Sequence, residues 1–97
     1  MPIDQKQRRH LKGLAHHLKP VVMIGQQGLS EGVTAELDVA LEAHELIKVR
    51  ISAADKVERR SMIDAICSNN NAEFIHAIGH VAIFYRRHPK KPKVTLS

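Results

Sequence analysis

The chain has 97 residues, enough for one small domain, and its 15 Lys and Arg against 10 Asp and Glu give a formal net charge of +5. This charge favours a polyanionic partner. The single cysteine, Cys67, excludes an intrachain disulfide, and no stretch approaches the roughly 20 apolar residues of a membrane-spanning helix. The amino-terminal residues lack the apolar segment of a signal peptide, so we expect a cytoplasmic protein.

The first half of the chain predicts a helix, a strand and a second helix. Residues 4–18 have helical periodicity, with Asp4 as the N-cap and Pro20 as the stop. The short apolar run at 20–24 predicts a buried strand, and residues 31–44 return to the helical period. The side chains expected to face the core are Leu11, Leu14, Ala15 and Leu18 in the first helix and Val33, Leu37, Ala40 and Leu41 in the second.

These two helices carry opposite charges. On the first, a basic stripe recurs at spacings of four, four and three residues, and residues 29–47 contain five acids and no Lys or Arg. One surface should therefore attract nucleic acid and another repel it. The basic stripe consists of Arg8, Lys12, His16 and Lys19, and the acids expected outside the second helix are Glu31, Asp38, Glu42 and Glu45.

The second half predicts a strand, a helix and a hairpin. Residues 45–52 alternate, with apolar side chains on one face and Lys48 and Arg50 on the other. A helix at 56–69 follows Asp55, and strands at 73–78 and 81–86 flank a tight turn. Val57, Met62, Ile63 and Ile66 are expected on the apolar side of that helix. From residue 86 onward five Lys/Arg and two prolines predict a mobile tail, giving one domain at 1–88 and a basic Pro/Lys tail at 89–97.

The element order is therefore α-β-α-β-α-β-β, an α/β (α+β) fold. Right-handed crossovers make the first three strands parallel, and the hairpin returns the fourth antiparallel, so the sheet is mixed. The last strand is apolar almost throughout and suits a central position, which predicts the strand order 1-2-4-3. Because the second strand is polar on one face, we expect the second and third helices together on the other, in two layers.

A Gly-x-x-Gly loop joins the first strand to the second helix. Gly25 and Gly28 flank Gln26 and Gln27, and glycine permits positive φ and close approach of the main chain to a ligand. The helix that follows offers unpaired amides and the positive end of its dipole to an anion. The spacing also arises by chance as an ordinary turn before a helix, and the basic context on both sides favours the functional interpretation.

Short motifs in the right order resemble a known family: LKGLAH (11–16), LKPVV (18–22), GQQGLSEGV (25–33), HELIKV (44–49), IGH (78–80) and YR (85–86). The chain resembles the bacterial YhbY-type proteins, the stand-alone form of the CRM (chloroplast RNA splicing and ribosome maturation) domain. The resemblance implies an RNA-binding module with a fold similar to the C-terminal domain of bacterial translation initiation factor three. It also implies an association with precursors of the large ribosomal subunit.

From the loop and the charges we predict the RNA-binding residues. Amides of the loop would contact phosphates, and the two glutamines could reach a base edge or a 2′-hydroxyl. The predicted set is Gly25, Gln26, Gln27, Gly28, Lys12, Lys19, Lys48, Arg50, Arg86 and Arg87. We expect the partner to be RNA, in particular large-subunit ribosomal RNA. We also expect the protein to be a monomer. The alternative is a protein-interaction module of a ribonucleoprotein, using the acidic second helix or an apolar patch.

Enzymatic activity is not expected. The seven histidines lack the Cys or carboxylate spacing of a zinc site, and Cys67 has no neighbouring cation to activate it. No Gly-x-x-x-x-Gly-Lys-Ser/Thr phosphate loop is present, which argues against an NTPase. We therefore expect no metal, no cofactor, no small-molecule substrate and no membrane partner.

Overall fold

Three helices and four strands follow one another in the predicted order. The computed structural model describes residues 3–25, 27–52 and 55–94. The helices are α1 (Gln5–Ala15), α2 (Glu31–His44) and α3 (Lys56–Asn70), and the strands are β1 (Pro20–Ile24), β2 (Leu46–Ile51), β3 (Glu73–Ile78) and β4 (Val81–Tyr85).

The four strands form one mixed sheet in the order β1-β2-β4-β3, which confirms the predicted order. β1 is parallel to β2, and β4 is antiparallel to both of its neighbours. Ile24 pairs with Ile51, so β1 and β2 end at the same edge, and the main-chain amide of Ile51 donates to the carbonyl of His80 there at 2.6 Å. We call this edge, with residues 25, 27–28, 52, 55 and 79–80, the loop edge.

The residues of β2, β3 and β4 divide between two separate apolar clusters, whereas β1, predicted to be a buried strand, buries only Val22 and Ile24 and leaves Val21 and Met23 exposed. On β4, Ala82 and Phe84 belong to a cluster under α2 and α3, while Ile83 and Tyr85 belong to a cluster under α1. α2 and α3 therefore share one face of the sheet, as predicted. α1 covers part of the opposite face, which we call the α1 face, and adds a partial third layer.

α1 is shorter than its periodicity predicts. Asp4 caps it in a capping box, accepting from the Gln7 amide at 2.7 Å, and the helix ends at Ala15, well before Pro20. Leu11 and Ala15 are fully buried, but Leu14 and Leu18 are 42% and 39% exposed, so their predicted burial is wrong. α1 packs on β2 and β3, and the two leucines lie beside the edge strand β1, to one side of the part of this face that α1 covers.

The predicted environments of two other residues, Val57 and Glu45, are also wrong. Val57, expected on the apolar side of α3, is 77% exposed, because it lies in the first helical turn, away from the buried Ile63 and Ile66. Glu45, expected on the outside of α2, is fully buried at the C-cap of that helix.

The buried carboxylate of Glu45 holds the segment that follows β4. It accepts from the main-chain amides of His88 and Val94, each at 2.7 Å, and from that of Lys93. The Lys93 ammonium also donates to the carbonyl of Ala43 at 2.9 Å. Residues 88–94 are thus anchored to the domain, in contrast to the mobile tail expected from residue 89 onward. Residues 95–97 of that predicted tail lie outside the described residues.

Candidate functional site

The glycine loop forms a closed turn at the loop edge. The amide of Gly28 donates to the carbonyl of Gly25 at 3.0 Å, and Gly28 has a φ of +74°. Only glycine adopts this conformation without strain, so Gly28 gives the turn its shape. Gln27 is exposed on it, and Gln26 lies outside the described residues.

The two glycines have different surroundings. A Cβ added to Gly28 would lie 3.3 Å from the Cε of Met62, which places the turn directly against α3. A Cβ added to Gly25 would have none of the described atoms within 4 Å, apart from its chain neighbours. Gly28 therefore has a structural reason to be glycine. Gly25 has none within the domain, and its bare backbone faces open space.

The start of α2 adjoins the loop. Ser30 is its N-cap and accepts from the Val33 amide at 3.1 Å. The amides of the first turn have no partner within the helix, because no carbonyl group lies four residues before them in it, and the helix dipole makes this end positive. Glu31 places one carboxylate in that turn, and its negative charge repels an anion.

Three of the predicted cationic residues lie on or beside the α1 face. Arg50 is exposed and pairs with Met23 at the loop edge of the sheet. Lys48 is half-buried, and its ammonium donates to the carbonyl of His16 at 3.4 Å. Lys12 is exposed on α1 and close to His76, whose pKa is lowered by burial and, to a smaller extent, by the Lys12 charge. Lys19 is exposed in the segment between α1 and β1.

Arg86 lies at the opposite edge of the sheet. Its guanidinium contacts Asp38 Oδ1 at 2.7 Å and Glu42 Oε2 at 3.5 Å, and donates to the carbonyl of Asn70 at 2.8 Å. The Asn70 amide and Arg86, through their hydrogen bonds, hold the pKa of Asp38 below its usual range. Arg86 thus joins α2 to the end of α3. Arg87 is exposed beside it, and the structure brings neither arginine near the glycine loop.

The basic amino-terminal turn of α3 was not among the predicted site residues. It begins just after β2 and so lies at the loop edge, where Met62 meets Gly28. The guanidinium of Arg60 stacks over the Phe74 ring, 5.4 Å from its centroid, and lies 3.3 Å from Asp64. The basic residues at this end of α3 are Lys56, Arg59 and Arg60. The predicted parallel pairing of the first two strands was the signal that could have identified them, because parallel strands end at the same edge.

Residues 3–25, 27–52 and 55–94 show few features of a metal site, a membrane-spanning helix or a reactive thiol. No group of three or more His, Cys, Asp or Glu there could hold a metal ion, and no helix there is long and apolar enough to span a membrane. Burial, followed by the charges of Asp64 and Glu73, raises the pKa of the Cys67 thiol, which disfavours the reactive thiolate. Tyr85 is buried in the cluster under α1, so its ring does not offer an exposed face for stacking on a base.

The sequence model of the CRS1/YhbY (CRM) domain matches residues 3–86, and the chain belongs to this family.

Similar proteins extend over nearly the whole chain. A Haemophilus influenzae protein named RNA-binding protein is 49% identical over 84 residues, covering 87% of this chain and 85% of its own. Probable RNA-binding protein PA4753 of Pseudomonas aeruginosa is 42% identical over 93 residues, covering 96% and 89%. The solution structure of the Staphylococcus aureus hypothetical protein SAV1595 superposes with a TM-score of 0.81 at 27% identity, over 97% of this chain and all of that one.

Proposed function

We propose that this protein binds RNA through the glycine loop and the cationic residues around it, as a non-enzymatic cytoplasmic factor that associates with precursors of the large ribosomal subunit. The names of the relatives support RNA binding, and the family resemblance supports the ribosomal client. The observation that carries the loop assignment is the bare backbone at Gly25 beside a turn fixed by Gly28.

In the proposed complex, main-chain amides of the loop and of the first turn of α2 donate to phosphate oxygens. The Gly28 and Val33 amides are excluded from this role, because the first already closes the turn and the second already donates to the Ser30 side chain. Such contacts position the RNA without reading its bases. The amide side chains of Gln26 and Gln27 offer donors and acceptors for a base edge or a 2′-hydroxyl.

The surrounding charge comes from two sides of the loop edge. Arg50 supplies it on the α1 face, with Lys48 and Lys12 further along that face. The start of α3 supplies it on the other side, with Lys56, whereas the Arg60 guanidinium is held by Asp64 and the Phe74 ring. Arg86 is left out of the proposed interface, since it is held by carboxylates at the opposite edge.

The structure suggests a sharp test, because only one glycine of the loop is free to accept a side chain. Gly25→Leu should leave the domain folded and weaken binding to a short unstructured RNA, at fixed salt, by about tenfold for each amide–phosphate hydrogen bond that the new side chain blocks. Gly13→Leu on α1 is the matched control, since a Cβ there also meets no described atom within 4 Å. Circular dichroism establishes folding and fluorescence anisotropy the affinity.

Unchanged affinity in a folded Gly25→Leu protein would refute the loop assignment. The ribosomal client is tested separately, by crosslinking the wild-type protein to RNA in cells. Recovery of large-subunit ribosomal RNA is expected, whereas enrichment of messenger or transfer RNA would contradict that part of the proposal.

A second candidate function is a protein-interaction module of a ribonucleoprotein. Val39 on the acidic side of α2 is 69% exposed and lines a groove of about 870 Å³ with Asp38 and Glu42. If this surface carries the function, RNA affinity is weak and insensitive to Gly25→Leu, while Val39→Asp abolishes association with the ribosomal particle.

A further inference from the structure

Exposed apolar side chains are concentrated on the α1 face. Of the seven large apolar side chains exposed in the described part of the chain, five lie on this face or beside it, and Val39 and Val57 lie elsewhere. A large exposed apolar patch on a soluble domain marks an interaction surface. The five are Leu14, Leu18, Val21, Met23 and Ile78.

Four of these side chains form one continuous strip. Val21 and Met23 alternate onto the same side of β1, an edge strand, and Met23 is the last but one residue before the glycine loop. At the other end, Leu14 and Leu18 line a groove of about 550 Å³ together with Val21. We name Leu14, Leu18, Val21 and Met23 the β1 strip. It leads from the end of α1 directly to Gly25.

The strip has a cationic border. Arg50 is the neighbour of Met23 across the sheet, and Lys19, Lys48 and Lys93 line the groove at the other end. None of the groove's lining side chains, among the residues described, is acidic. The surface therefore suits a ligand that is anionic along one side and flat and apolar along the other. An unpaired RNA strand has this chemistry, because its phosphates carry charge and its bases, when unstacked, expose apolar faces.

We propose that the β1 strip binds the bases of an unpaired RNA segment whose backbone is held by the glycine loop. This inference rests on the proposed function and specifies its substrate class as single-stranded RNA. From Val21 to Gly25 the main chain extends about 13 Å, so the strip is long enough to contact more than one nucleotide. A duplex cannot use the strip, because its bases are stacked and paired within the helix.

The experiment compares serine substitutions at two equally exposed apolar positions. Met23→Ser removes the apolar contact from the strip, and Val39→Ser on α2 is the matched control, since both side chains are 69% exposed. Anisotropy at one salt concentration measures binding to an unstructured RNA strand and to a duplex of the same length. We expect Met23→Ser to weaken single-strand binding about tenfold and leave duplex binding unchanged. Val39→Ser should change neither affinity.

The failures of the two proposals are distinguishable. If the wild-type protein binds single strands and duplex equally, or if folded Met23→Ser retains full single-strand affinity, the strip inference is overturned and the loop proposal stands. Absence of any RNA binding by the wild-type protein overturns both. A dimer that forms with rising concentration, disappears in Met23→Ser and competes with RNA identifies a second copy as the occupant and also overturns the inference. Met23→Gln, which keeps the side chain's length, replaces the serine variant if that protein does not fold.

Discussion

Glu45 combines burial, charge and an unfavourable backbone conformation in one residue. Its φ is +64°, in a region where glycine is normally preferred at the end of a helix, yet its side chain is fully buried. Burial alone raises the pKa of this carboxyl group, but the amides of His88, Lys93 and Val94 outweigh it and hold the pKa below its ordinary value of 4.5. The carboxylate gives the segment 88–94 its only buried anchor among the hydrogen bonds described, which explains why glutamate is present at such a position.

Replacement of this carboxylate should produce a pH-dependent loss of stability. Because the folded pKa is lowered, the stabilisation is complete above pH 4.5 and is lost as the pH falls through the folded pKa. At pH 7 we expect Glu45→Gln to reduce the free energy of unfolding by about 1–3 kcal/mol, since the amide group cannot accept from all three donors. Urea unfolding at pH 7 and below pH 4 measures the difference. A deficit that stays constant across this range would contradict the role of the charge.

At the scale of elements, periodicity predicted most boundaries but not which helical faces are covered. α2 begins and ends where predicted, because Ser30 and the buried Leu37 and Leu41 provide local signals. Leu14 and Leu18 have the same helical spacing as the buried residues of α1, and their exposure depends on which strands α1 crosses. That is a tertiary property, which sequence spacing does not contain.

For the candidate site, too, the sequence predicted the local features but not the tertiary contacts. The loop and the parallel strands beside it follow from local patterns, whereas the position of Gly28 against Met62, far along the chain, is a tertiary contact that the sequence does not contain. Arg86 has the sequence context of a basic tail. Its carboxylate partners, Asp38 and Glu42, lie on α2 and meet it only after the sheet has formed.

Arg86 should therefore act on stability as a connection between elements. It is largely buried and links α2 to the last turn of α3, so Arg86→Gln leaves the Asn70 carbonyl and the Asp38 carboxylate short of a donor. We expect a loss of about 1–3 kcal/mol in unfolding free energy and an RNA affinity within about twofold of wild type. Chemical denaturation and anisotropy at the same salt concentration measure the two quantities. If Arg86→Gln leaves the stability unchanged but weakens RNA binding, Arg86 belongs to the RNA interface and this prediction is wrong.

At the scale of the whole molecule, charge is divided between opposite regions. The acids of α2 surround Arg86 at the edge away from the loop, while the loop edge carries Arg50 and the basic start of α3. A polyanion that approaches the acidic side of α2 meets carboxylates, so we expect this charge distribution to favour approaches in which the loop edge faces the RNA.

This division predicts which cations determine the salt dependence of binding. For single strands, the logarithm of the association constant falls with the logarithm of salt concentration by about 0.7 for each phosphate neutralised. Arg50→Gln and Lys56→Gln, both at the loop edge, should each make the slope shallower by about 0.7. Arg87→Gln is the control, since Arg87 is exposed at the opposite edge and should leave the slope unchanged. Titrations of an unstructured RNA at several salt concentrations give the slopes, and equal slopes for Arg50→Gln and wild type would place the phosphates elsewhere on the molecule.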